Sequence, residues 1–170
     1  MQMQSQDFAK KVTKTKIKWG IWAAVLLWMV VIFCFSAQNG TQSAQLSETV
    51  QQYIVQIVGA APQAQDTNDQ LILRKAAHFT VYLVLGGFCM AALLQTPRFT
   101  RVRQKAAVAL AISAGYAASD ELHQFFVEER SARILDVGID TVGAVCGIML
   151  VLLVLKFWQK RQKKKEQKQG

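Results

Sequence analysis

The chain has 170 residues, 52% of them hydrophobic, with two prolines and a formal net charge of +9. That length suits one domain. The basic excess lacks any interleaved aromatic-and-basic pattern, so it reads as membrane topology signals and attraction to anionic lipid, and not as nucleic-acid binding.

Four apolar runs punctuate the sequence, at about 19–35, 76–94, 106–118 and 137–158. A bilayer core of roughly 30 Å needs about 20 helical residues. In lipid every backbone polar group must be paired internally, so each run is expected to be a helix. The predicted fold is an all-α membrane bundle of four transmembrane helices, with spans at roughly 19–36, 72–94, 105–126 and 135–158. Residues 1–18 form a basic N-terminal segment, 19–158 the transmembrane domain and 159–170 a basic tail.

The N-terminal stretch "KKVTKTKIK" followed by an apolar run resembles a secretory signal. Its exit, "CFSAQNG", is a poor cleavage site, because Phe35 stands where a small residue is needed. Bulky Phe33 before Cys34 also argues against a lipoprotein site. The first span is therefore expected to be an uncleaved anchor. After it, "SAQLSETVQQYIVQIVG" sets Leu46, Val50, Tyr53, Ile54 and Ile57 on one stripe and glutamines and Glu48 on the other side. This predicts an amphipathic helix on the outer interface, able to cover a pocket. The following "APQAQDTNDQ" reads as a flexible connector.

Span two enters through "LILRKAAHFTVYLVLGG", which places Arg74, His78, Tyr82 and Gly86 on one face with Lys75 beside them. The third run is too short to cross a membrane unless its helix continues through "SDELHQFF". It would then carry Tyr116, Asp120, His123 and Gln124 on one face, with Glu121 between them and the lipid-facing Leu122, Phe125 and Phe126. Span four enters through "RILDVGIDTVGAVCG", with Asp136, Asp140, Gly143, Ala144 and Gly147 on one side. The Gly143–Gly147 pair allows close helix approach, either within the chain or between two chains. The tail "KFWQKRQKKKEQKQG" is a polybasic flank, expected to be frayed. Cys34, Cys89 and Cys146 all fall inside spans and read as packing residues.

Charge sets the expected orientation. Sixteen of the 20 Lys/Arg precede span one, lie between spans two and three up to Lys105, or lie at or after the end of span four from Lys156, and nine of the 11 acids lie at the opposite end. Both termini are thus expected to be cytoplasmic. Arg74, Lys75, His78, Asp120, Glu121, His123, Asp136 and Asp140 come from three helices and all lie in their outer halves. Ionisable residues at membrane depth ordinarily mark a functional site. The inner halves carry no matching set, which argues against a channel and for a pocket opening outward.

The blocks "FSAQNGTQSAQLS", "RKAAHFTVYLVLG" and "SDELHQFFVEERSARILDVGIDTVGAVCG" resemble the VanZ-like family, named for a protein linked to teicoplanin resistance. The resemblance implies an integral membrane protein of the bacterial envelope. It marks Ser36, Gln38, Arg74, Lys75, His78, Asp120, Glu121, His123, Gln124, Arg130, Asp136 and Asp140. The chain departs from the family where Glu128 and Glu129 replace a Pro-Gly type turn. The resemblance specifies no reaction.

Three functions fit these residues. The first is a binding site for a lipid head group, a peptidoglycan precursor or a lipoglycopeptide antibiotic. Ser36, Gln38, Arg74, Lys75, Gln124, Arg130, Asp136 and Asp140 would contact that ligand. The second is a hydrolase or transferase using His123, Asp120, Glu121 and His78 in acid–base chemistry. The third is a charge cluster that only locks helices together. A metal set of His78, His123 and Asp120 is the minor alternative. It has no HExxH pair or Cys/His cluster behind it, and Arg74 and Lys75 would repel a cation. No cofactor is expected. The partners expected are membrane lipids, with a lipid-linked envelope precursor or a lipoglycopeptide, at the bacterial cell membrane.

Overall fold

The computed structural model describes residues 2–58, 67–127 and 133–167. These form five helices, α1 (Gln2–Ser36), α2 (Gly40–Val58), α3 (Thr67–Leu94), α4 (Val102–Gln124) and α5 (Ile134–Glu166), with no strand among the described residues. Three of them contain segments long and apolar enough to cross a membrane: Trp19–Ser36 of α1, Leu71–Leu94 of α3, and α5. By the same measure α4 falls short. Its 23 residues would extend about 35 Å. However, Arg103 and Lys105 at one end and Asp120, Glu121, His123 and Gln124 at the other dilute the apolar run.

The α4 helix continues past the apolar run to Gln124, so "DELHQ" is helical. The Phe125 N–H donates to the Glu121 carbonyl at 3.1 Å and the Phe126 N–H to that of His123 at 3.0 Å, closing the last turn. Leu122, Phe125 and Phe126 are exposed. Two segments are more helical than the sequence suggests. Thr67–Gln70 joins the start of α3, and residues 59–66 lie outside the described set. The basic tail continues α5 to Glu166 and does not fray at residue 159. Gln, Lys and Arg are good helix formers. Lys163, Lys164 and Lys165 in the last turn also complement the negative end of the helix dipole.

The closest packing joins α3 to α5. A Cβ added at Gly147 would meet the Leu83 carbonyl oxygen and lie 2.9 Å from the Gly87 nitrogen. At Gly143 it would meet the Phe79 carbonyl, and at Gly86 it would lie 2.7 Å from the Ala144 Cα. The small residues thus let the two backbones touch inside one chain, which assigns the Gly143–Gly147 pair to internal packing. Around this seam Tyr82, Leu85, Cys89, Met90, Ala109, Ala117 and Ile148 form the core.

Polar links fix α1 against this core. The Trp28 indole N–H donates to the Val81 carbonyl at 2.9 Å, and its ring meets Phe88 edge-on at 6.0 Å. The Tyr116 hydroxyl donates to the Met29 carbonyl at 2.6 Å. At the opposite end of α3, the buried Lys105 ammonium donates to the Leu94 carbonyl at 2.9 Å, satisfying one of the acceptors left at the helix end. With Ser36 beside Arg74 in one cavity wall and Phe33 stacked on His123, these pairings make α1 antiparallel to α3 and parallel to α4.

The α2 helix starts on Asn39, whose side-chain oxygen accepts the Gln42 N–H at 2.8 Å. This is an N-cap, worth about 1 kcal/mol. Asn39→Ala is expected to loosen α2, read as faster amide exchange over residues 42–50 with little change in α3.

Candidate functional site

The C-terminal ends of α1 and α4 and the N-terminal ends of α3 and α5 meet at one end of the bundle, and α2 lies beside them. Two cavities open there. The larger, about 200 Å³, has an apolar wall of Ile32, Phe35, Leu46, Val50, Leu73 and Val81, with Ser36, Gln38, Arg74, His78 and Asp120 as polar points. The smaller, about 80 Å³, is walled mostly by polar residues, Arg74, Lys75, His78, Gln124, Arg133 and Asp136, together with Leu71 and Ile139. Arg74 and His78 belong to both, so one turn of α3 divides the two spaces.

The sequence pattern accounts for the larger cavity. Along α2, Leu46 and Val50 of the apolar stripe line the cavity while remaining partly open to the surroundings, and Tyr53 and Ile57 farther along are more exposed still. Ser36 is buried at the end of α1, and its hydroxyl has no hydrogen-bond partner. The cover expected from an amphipathic helix is therefore supplied by the first half of α2.

His78 and Asp140 form the central contact. The His78 Nδ1 lies 3.4 Å from each carboxylate oxygen of Asp140, which is fully buried between α3 and α5. Asp120, 4% exposed, comes from α4, and its Oδ2 accepts from the Gln124 amide at 3.3 Å. One ligand-type atom from each of His78, Asp120 and Asp140 lies within 4.8 Å of the others. The Asp120 Oδ1, Asp140 Oδ1 and Tyr82 hydroxyl are all buried without a hydrogen-bond partner. Each would ordinarily cost free energy, because burial removes water and nothing replaces it.

Most residues of the helical faces read from the sequence assemble here, His123 excepted. Lys75 Nζ reaches Asp136 Oδ1 at 3.5 Å, whereas Asp140 is held by His78 and not by Arg74. Arg74 makes no ion pair or hydrogen bond with any described residue, although it lines both cavities. His123 turns toward α1, where its ring stacks on Phe33 at 4.7 Å and Nε2 has no hydrogen-bond partner. Glu121 is buried, and its Oε2 accepts the Arg133 N–H at 3.0 Å, tying the end of α4 to the start of α5. Arg130, Glu128 and Glu129 lie outside the described residues.

Sequence reasoning missed Arg133, and nothing in the local pattern singles it out. Its backbone N–H rather than its charge makes the contact with Glu121. It also missed that Tyr82 would be unsatisfied: of the two tyrosines on the polar faces, only Tyr116 finds a carbonyl. The Lys75–Asp136 pair is part-exposed and longer than a hydrogen bond. Lys75→Gln is expected to cost less than about 1 kcal/mol, measured by thermal unfolding of the purified protein.

Searches of curated proteins and of solved structures gave no match. The family model for VanZ/LLP1 matches residues 21–155, from the first apolar helix through most of α5. That range holds every described side chain that lines the two cavities. The chain is a membrane protein of the VanZ/LLP1 family.

Proposed function

We propose that this protein crosses a bacterial cell membrane four times, with α4 as the fourth crossing helix and both termini in the cytoplasm. Its site then opens outward and holds an amphiphilic ligand of the cell envelope, with α2 at the outer interface as cover. The basic residues gathered at the end away from the cavities support the orientation. In α4 the ionisable residues sit toward the two ends, or face α3 and α5, so a crossing leaves its central apolar turns in lipid.

The observation that carries the ligand reading is the pair of adjoining cavities, one almost wholly apolar and one walled mostly by polar residues, divided by Arg74 and His78. An aliphatic chain suits the first space. A head group with an anionic oxygen suits Arg74, whose guanidinium has no protein partner among the described residues and can form a two-pronged contact with phosphate or carboxylate. Phospholipid head groups, lipid-linked peptidoglycan precursors and lipoglycopeptide antibiotics all combine these features. Holding a lipoglycopeptide away from its target would give resistance without turnover.

The test is equilibrium binding to the purified protein in nanodiscs. The probes are a phosphatidic acid, a lipid-linked peptidoglycan precursor and teicoplanin, each compared with its chain-free head group. At least one chain-bearing compound is expected to bind more than about tenfold tighter than its head group, a difference near 1.4 kcal/mol. Equal binding of the head groups, or no binding of any probe, would sink the reading. Release of a cleaved or transferred group in the same samples would make the site catalytic.

A further inference from the structure

We infer that His78, Asp120 and Asp140 form a binding site for a divalent transition cation, Zn²⁺ or Mn²⁺. The three side chains come from α3, α4 and α5, so a bound ion would tie the three helices together at one point. Their ligand-type atoms already lie within 4.8 Å of one another. Neighbouring ligand atoms around a tetrahedral ion with bonds of roughly 2.1 Å stand about 3.4 Å apart. The three side chains would close on the ion by up to about an ångström each.

Charge and unsatisfied atoms point the same way. Asp120 and Asp140 are both more than nine-tenths buried, and each has an oxygen without a hydrogen-bond partner. One imidazole is a poor counter-charge for two buried carboxylates, and leaving charge unpaired in such a place is costly. Lys75 is committed to Asp136. Taking the described cluster as Asp120, Glu121, Asp136 and Asp140 against Arg74, Lys75 and Arg133 leaves a formal excess of one negative charge with His78 neutral. The repulsion that Arg74 and Lys75 would exert on a cation is thus outweighed.

A separate observation comes from Tyr82. It is fully buried, and its hydroxyl lies beside Asp120, beyond strict hydrogen-bond distance but near enough to turn toward that carboxylate, with Asp140 also close. The hydroxyl can donate to a carboxylate oxygen or to water on the ion, the usual support around a metal centre. One nitrogen and two carboxylate ligands favour Zn²⁺ or Mn²⁺ over Mg²⁺ and Ca²⁺, which prefer oxygen alone. The ligand set differs from the one the sequence suggests, with Asp140 in place of His123.

The experiment uses untagged full-length protein in detergent, stripped with a chelator and then offered Zn²⁺, Mn²⁺ or Mg²⁺. Bound metal is counted by elemental analysis and thermal unfolding is followed in parallel. The wild type is expected to retain about one Zn²⁺ or Mn²⁺ per chain and to unfold at a higher temperature when loaded. Mg²⁺ should do neither. Monodisperse Asp120→Asn and Asp140→Asn proteins should lose both effects, and His123→Ala should keep them. A wild type that retains no ion and unfolds at the same temperature in excess Zn²⁺ and Mn²⁺ overturns the inference, whatever the variants do. So does loss of the ion on His123→Ala with retention in both aspartate variants. Neither result bears on whether an amphiphile occupies the cavities.

Discussion

Gly147→Val is expected to destabilise the protein by about 3 kcal/mol, the upper part of the usual range for overpacking. The reason lies in what the new side chain would strike. A Cβ at position 147 meets the Leu83 carbonyl oxygen and sits 2.8 Å from its carbon. Both are backbone atoms, so no rotamer change can make room and α3 and α5 must part. Parting them also separates His78 from Asp140, because that contact spans the same pair of helices. Loss of stability and loss of ligand binding should therefore appear together. Gly115 provides the control, since a Cβ there has nothing within 4 Å. Gly115→Ala removes a helix-weakening glycine and is expected to stabilise by up to about 1 kcal/mol. Thermal unfolding of both variants in the same detergent checks the contrast. Equal shifts in the same direction would show that the seam is not where the helices are held.

The second large effect concerns Arg74. Arg74→Gln is expected to weaken binding of an anionic amphiphile by roughly ten- to a hundredfold, the worth of a charge-assisted hydrogen bond. Stability should change little, because the guanidinium has no described protein partner to lose. Most buried cations in a protein are paired, so substituting them mixes structural and functional loss. Here the two separate. Lys75→Gln serves as the comparison, since its ammonium is held by Asp136 one helical turn from the His78–Asp140 contact. Affinity measured for both variants should fall sharply for position 74 and slightly for position 75. The reverse order would mean that the head group enters by a different route.

Much of this arrangement is legible along the chain because helical periodicity is local. The i, i+4 spacing of Arg74, His78 and Tyr82 and of Asp136 and Asp140 is enough to put each set on one face. Glycines at 143 and 147 then orient that face toward a close neighbour. The continuation of α4 through "DELHQ" follows from counting the residues that a crossing needs. The rotation of each helix about its axis is not local. It decides that Asp140 meets His78 while Arg74 is left to the cavities, and that His123 turns to Phe33. A change of about 100° separates successive residues on a helix, so His123 and Gln124 can share a polar reading and still face different partners. Spacing alone also could not show that Tyr116 would find the Met29 carbonyl and Tyr82 nothing. That difference depends on where α1 lies, and α1 carries no polar pattern that announces its docking face.

The membrane reading gains from the same packing. Exposed Leu27, Val30, Leu150 and Phe157 would be costly in water as a continuous surface, and lipid removes that cost. The polar groups, by contrast, are turned inward at one end of the bundle, where two cavities expose them to a ligand and not to hydrocarbon.

Accessibility of Ser36 reports whether the larger cavity opens to the outside and takes an amphiphile. This residue is buried at the end of α1 and lines the larger cavity next to Arg74 and Asp120. With Cys34, Cys89 and Cys146 replaced by alanine, Ser36→Cys can be challenged in intact cells with a small, membrane-impermeant thiol reagent. An outward-facing amphiphile site predicts labelling from outside the cell, slowed by a chain-bearing anionic amphiphile and not by its free head group. Labelling that occurs only from the cytoplasmic side, or that no amphiphile slows, would rule out an outward-facing amphiphile site.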